Sequence, residues 1–276
     1  MLNFREDQAA GLRRIMTSYQ PKIITILSAD TAESQSRLVG NLAATMRANN
    51  IDILVVQARQ DYRTASRLYG MDNAPSLYEV AYERSALAQS VKSAKLGFSV
   101  AKLLPKNRQY LSSEAHADML LNKVFTSLSE LFEVVLVEAK LTEDYLLPLE
   151  ILNDHEVLIR MNRDSESIKQ AYVLIKQICS QIGRRSFGIV VEGASDAQAA
   201  TVFRNISQVA SEFLQVELEF IGAIPGDAHL ERAAKLGRSI TDAFPLSQAA
   251  KAYQSLAQRL NYQQVFSDAK ELASFA

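Results

Sequence analysis

The sequence predicts a single α/β domain built on a mainly parallel, doubly wound sheet with helices on both faces. Three observations predict it. Seven short apolar runs alternate with longer segments of helical periodicity over nearly the whole chain. Several of those runs are almost continuous in Ile, Val and Leu, the pattern of strands covered on both faces. No internal repeat, Pro-rich tract or Gly/Ser linker interrupts the alternation, so one core is expected, and 276 residues suffice to bury it.

The apolar runs are Ile23 to Leu27, Ile51 to Val56, Phe98 to Leu103, Val134 to Val137, Val157 to Met161, Phe187 to Val191 and Leu218 to Ile224. Helical patterns lie at Ser36 to Asn49, Glu114 to Phe132, Ser165 to Ile182, Asp196 to Leu214 and Leu246 to Leu260. These are long enough to cross over between parallel strands. Ser165 and Ser195 stand where N-caps are expected, because a serine oxygen there accepts from an orphan backbone N–H of the first turn. Residues 1–20 and 263–276 fall outside the alternation. The expected division is an N-terminal helix and linker over 1–20, the α/β domain over 21–262, and an amphipathic tail over 263–276.

Composition narrows the function classes. A net charge of −1 argues against bulk attraction to nucleic acid, and no nucleic-acid partner is expected. Cys179 is the only cysteine, which excludes an intrachain disulfide and zinc-finger spacing and fits a reducing compartment. The first residues lack the apolar core of a secretory signal, and no run approaches the length of a spanning helix. A cytoplasmic protein is expected, with attachment at a cell pole or inner membrane left open. His116, His155 and His229 lack metal-ligand spacing and read as surface or helix-end residues; no metal is expected. Cys179 reads as core.

In an open α/β sheet, phosphate binds at the turn after the first strand. Here that turn is Ser28 to Ala43, SADTAESQSRLVGNLA. Ser28, Ser36 and Asn41-Leu42-Ala43 bring it into gapless register with the phosphate loop of the MinD/ParA ATPases, roughly SGKGGVGKTxxxxNLA, which it resembles. The chemistry of such a loop is missing. Glycines let consecutive backbone N–H groups turn inward onto phosphate oxygens, but the four glycine positions hold Ala29, Thr31, Ala32 and Ser34. The resemblance places the phosphate-neutralising lysine at Gln35 and the lysine that reaches across a dimer at Asp30, with Glu33 adding negative charge. Ser36 keeps a hydroxyl for magnesium, although a serine there also fits an ordinary helix start.

The remaining elements of that ATPase family are altered as well. Its Asp-x-Asp pair after the second strand becomes Gln57 and Arg59, its switch after the strand Val134 to Val137 begins at Glu138 and has no glycine, and its adenine-side Asn becomes Glu192. Phosphoryl transfer depends on positioning and electrostatics supplied by these parts. The expectation is a pseudo-ATPase with no nucleotide cofactor, neither hydrolysing ATP nor binding it tightly, and either a monomer or a dimer that forms without ATP.

Further segments resemble the flagellar-number regulators of the FlhG/FleN branch. They are Leu77 to Val80, Ser165 to Lys176, Phe220 to Asp227 and Arg238 to Ser247. Before the first strand, Asp7-Gln8-Ala9-Ala10-Gly11-Leu12-Arg13 is similar to that branch's DQAxxLR motif. The resemblance implies a helix that binds and stimulates a signal-recognition-particle-type GTPase, FlhF. On a helix, Phe4, Leu12, Ile15 and Met16 share one arc. Gln8 falls at its centre and Ala9 at its edge. A glutamine so placed suits the orientation of attacking water in a GTPase, with Asp7 and Arg13 fixing the approach. The other reading has this helix capping the protein's own sheet.

Two alternatives stand beside the GTPase regulator: a weak ATP-dependent MinD-like switch, and a non-enzymatic scaffold for flagellar or polar assembly proteins. The tail carries Val265, Phe266, Ala269, Leu272 and Ala273 at helical spacing. The resemblance implies membrane attachment through it, but its polar side offers Lys270 against Asp268 and Glu271, so docking on the protein's own body is favoured over a lipid surface.

Overall fold

The computed structural model describes residues 21–59, 69–71, 73–105 and 115–274. Eight strands form one sheet in the order β3-β4-β2-β5-β1-β6-β7-β8. They are β1 Lys22–Ser28, β2 Ile53–Ala58, β3 Val91–Ser93, β4 Ser99–Lys102, β5 Val134–Ala139, β6 Glu156–Asn162, β7 Phe187–Glu192 and β8 Leu218–Ile224. All neighbours pair in parallel except β3 with β4. The parallel strands coincide with the seven apolar runs. The antiparallel β3 was not expected; three residues with two exposed give no periodicity to read.

Helices cover both faces. On one face α1 (Ala32–Ala48), α7 (Ala228–Lys235), α8 (Ile240–Ala243) and α9 (Gln248–Ser274) pack on Ile24, Ile26, Val55, Leu136 and Val190. On the other, α2 (Leu77–Ala81), α4 (Ala115–Ser129), α5 (Ser165–Ile182) and α6 (Asp196–Leu214) pack on Leu54, Val56, Val135, Val137 and Ile159. A four-residue helix α3 (Leu87–Ser90) leads into β3. Side chains alternate between faces along each strand. In β1, β2, β5, β6 and β7 nearly all alternating positions are buried, which is why these strands read as unbroken apolar runs.

Two helix starts differ from expectation. Helix α1 begins at Ala32, four residues before Ser36, with Thr31 as its N-cap. Helix α5 is capped by Asp164, not Ser165, and Asp164 makes no side-chain cap bond. Its N–H is bonded instead to Asn162 Oδ1 at 2.6 Å, so an Asn-centred turn sets the entry to the helix. Ser195 caps α6 as expected, in a reciprocal capping box with Gln198. Helix α9 runs through Leu260 without a break, and Lys22 Nζ bonds the Leu260 carbonyl at 2.8 Å while pairing with Glu156 at 3.0 Å. Residues 1–20, including Asp7, Gln8, Ala9, Leu12 and Arg13, lie outside the described residues.

Candidate functional site: a phosphate loop closed on itself

The loop after β1 sits at the carboxyl edge of the sheet, where α/β proteins bind ligands. Four of its backbone donors are engaged within the chain. Ala29 N–H bonds Arg160 O at 2.9 Å, and Asp30 N–H bonds Ser28 Oγ at 3.2 Å. Ser34 N–H bonds Thr31 Oγ1 at 3.3 Å, and Gln35 N–H bonds Thr31 O at 3.3 Å. With the glycines replaced, residues 32–35 take up helix. Thr31 in extended conformation supplies the cap that an open phosphate loop would not need.

Gln35 is fully buried. Its amide nitrogen donates to Ile26 O at 2.5 Å and Ala139 O at 2.7 Å, bridging the carboxyl ends of β1 and β5. Its oxygen accepts from Arg59 Nη1. A neutral amide can both donate and accept here, whereas an ammonium has no acceptor for the guanidinium and would be a buried like charge beside it.

Ser36 Oγ donates to Glu138 Oε1, and Ser36 O accepts from the buried Tyr69 hydroxyl at 3.0 Å. Glu138 and Gln57 are buried register partners on β5 and β2. The amide atoms of Gln57 have no hydrogen-bond partner among the described residues. Burial pushes the Tyr69 phenol well above its usual range, and the neighbouring Glu138 carboxylate adds to the rise.

Across β1, Arg160 organises a second cluster. Its guanidinium pairs with Asp30 through Nη1 and with Glu192 through Nη2, and its Nε bonds Glu192 Oε2 at 2.6 Å. Arg160 and Glu192 are buried, while Asp30 keeps 19% of its side chain exposed. Ser167 Oγ at 3.1 Å and Asn162 Nδ2 at 3.4 Å complete the ring around Asp30. Tyr253 of α9 is also buried; burial first, and then the Glu192 charge, push its phenol far up.

The structure thus brings together Asp30, Gln35, Ser36, Arg59, Glu138 and Glu192 in two adjoining polar clusters, with Gln57 at their margin and Thr31 and Ser34 in the cap. Ala29 packs against the core, Ala32 opens α1, and Glu33 lies in its first turn without joining either cluster. Arg160 was missed from the sequence, although an arginine inside the apolar run Val157 to Met161 is itself a signal. Tyr69, Asn162, Ser167 and Tyr253 carried no comparable sign.

The other titratable candidates stand apart. Cys179 is half-buried against the core, and burial raises its thiol. His155 is half-buried, which lowers its imidazole, and His229 pairs with Asp227 at 2.7 Å. No group of three His, Cys, Asp or Glu suited to a metal occurs among the described residues.

Comparison with known proteins follows the same lines. Over 87–88% of this chain the structure superposes on cell-division MinD of Pyrococcus furiosus (TM-score 0.64, 17% identity, 100% of that chain) and on a ParA-family ATPase of Chlorobium tepidum (TM-score 0.65, 15% identity, 98% of that chain). The fold is that of the MinD/ParA ATPases. MinD of Aquifex aeolicus in complex with MinC is another such neighbour (TM-score 0.63, 18% identity, 95% of that chain). In sequence, the chain is 22% identical to the antiactivator FleN of Pseudomonas aeruginosa over 256 residues, covering 91% of this chain and 90% of FleN. The resemblance to the MinD-like FleN branch therefore extends over nine-tenths of the chain. No family model matches. Among the described residues no helix is long and apolar enough to cross a membrane.

Proposed function

We propose that this protein is a regulator of flagellar biosynthesis that has kept the MinD/ParA scaffold and given up its nucleotide, a pseudo-ATPase acting on other proteins. The observation that carries the reading is Gln35: buried, with its amide bonded to two strand ends and to Arg59, it fills the place of the phosphate lysine. Asp30, tied to Arg160, sets a carboxylate where polyphosphate would approach. Likeness to an antiactivator over nine-tenths of the chain supports a role exercised by binding.

The working part in this reading is the N-terminal helix. Gln8 enters the catalytic centre of a partner GTPase of the signal-recognition-particle type and orients its attacking water. Leu12 and Ala9 anchor the contact, and Asp7 and Arg13 set its direction. The α/β domain then serves as a rigid carrier, cytoplasmic and peripheral to the pole or membrane where the partner works.

The test is GTP turnover by the partner with full-length protein. Gln8→Ala is expected to abolish stimulation while leaving the melting curve unchanged. Stimulation undiminished by that change would rule the mechanism out. The relative's name also supports a second reading, in which the carrier domain itself sequesters an activator protein. Co-purification that survives deletion of residues 1–20 would favour it.

A further inference from the structure

At the opposite end of α1 from the closed loop lies a cleft of about 510 Å³, within the roughly 300–1,000 Å³ typical of small-molecule sites. Its walls come from four segments: the end of α1, the turn between β3 and β4, residues 237–242 running into α8, and Gln254 of α9. Helix α1 has 17 residues, so the cleft is about 25 Å from Ala32. It shares no lining residue with the two polar clusters.

We propose that this cleft binds a phosphorylated small molecule. Arg47 and Lys95 line it, and neither side chain has a hydrogen bond or ion pair among the described residues. A third cation, Arg238, is held by Asp242 through contacts of 2.6 and 2.8 Å, which also neutralises the one carboxylate in the lining. Three hydroxyls are also in the lining. Thr45 and Ser239 are buried, and Thr241 lies 3.3 Å from Thr45 and 3.2 Å from Ser239. The Thr45 hydroxyl donates to Asn41 O at 2.7 Å, which leaves those of Thr241 and Ser239 to turn; with the two unengaged cations they match the charge and acceptor-rich surface of a phosphate ester. The carboxyl end of α1 opposes an anion with about half a charge. Asn49 N–H already bonds the last carbonyls of that helix, and two full positive charges outweigh the remainder.

The experiment is a titration of the full chain with inorganic pyrophosphate, followed by amide NMR and by calorimetry at low salt. The amide signals of Lys95, Leu96 and Gly237 are expected to shift while those from Ala29 to Ser36 stay in place. The double variant Arg47→Glu/Lys95→Glu, both positions exposed, is expected to weaken binding at least tenfold with an unchanged melting temperature. No binding by the wild type, or equal binding by the double variant, would overturn the assignment and leave the closed-loop reading intact. Shifts at residues 29–36 in place of the cleft would contradict both.

Discussion

Arg160 is the residue on which the loop's new chemistry turns. Its guanidinium satisfies Glu192 and Asp30 together, and removing one partner of a buried ion cluster leaves the others uncompensated. Arg160→Met should therefore cost about 3–5 kcal/mol of stability, read as a lowered denaturation midpoint. Replacing Asp30, Arg160 and Glu192 together by apolar residues of similar volume should be near neutral. A triple variant as unstable as Arg160→Met would mean that the cluster is not a self-contained ion set. At this scale the sequence was half legible. The lost glycines and lysines stand in plain view at positions 29 to 35. What replaced them was not, because Gln35 meets Ala139, and Asp30 meets Arg160, more than 100 residues away.

At the scale of the element, the decisive feature is that residues 32–35 form the first turn of a helix. An open phosphate loop keeps its N–H groups unbonded, and glycine keeps the helical alternative costly by roughly 0.5–1 kcal/mol per position relative to alanine. Ala32 lowers that cost and Thr31 supplies a cap. Thr31→Ala should destabilise the protein by about 1 kcal/mol, measurable in denaturant, with faster amide exchange confined to residues 32–36. Uniform exchange along α1 would contradict a capping role. The strands were legible because apolar periodicity survives divergence, whereas the start at Ala32 rather than Ser36 depended on a cap bond between Thr31 and Ser34. Asp164 displacing Ser165 is the same lesson. Which residue enters a helix depends on where neighbouring side chains such as Asn162 already bond.

For the whole molecule, the fold class follows from alternating strands and helices, and the superposition on MinD and ParA confirms it. The proposed loss of the nucleotide switch is the larger matter. Asp30, Arg160 and Glu192 together carry one net negative charge, so the cluster opposes a polyanion rather than attracting it, and no lysine stands at 35 to offset it. A dimer held together by nucleotide is not expected. Sedimentation of the full chain should give the same mass with and without ATP and magnesium, and an ATP-dependent increase would restore the switch reading.

The most direct measurement is calorimetric titration of the full-length protein with magnesium ATP and with ADP. The closed loop predicts no saturable heat up to millimolar nucleotide, because the Gln35 and Asp30 side chains and the backbone N–H groups of Ala29, Asp30, Ser34 and Gln35 are already engaged within the chain. Binding in the micromolar range, abolished by substitutions in residues 29–36, would contradict it.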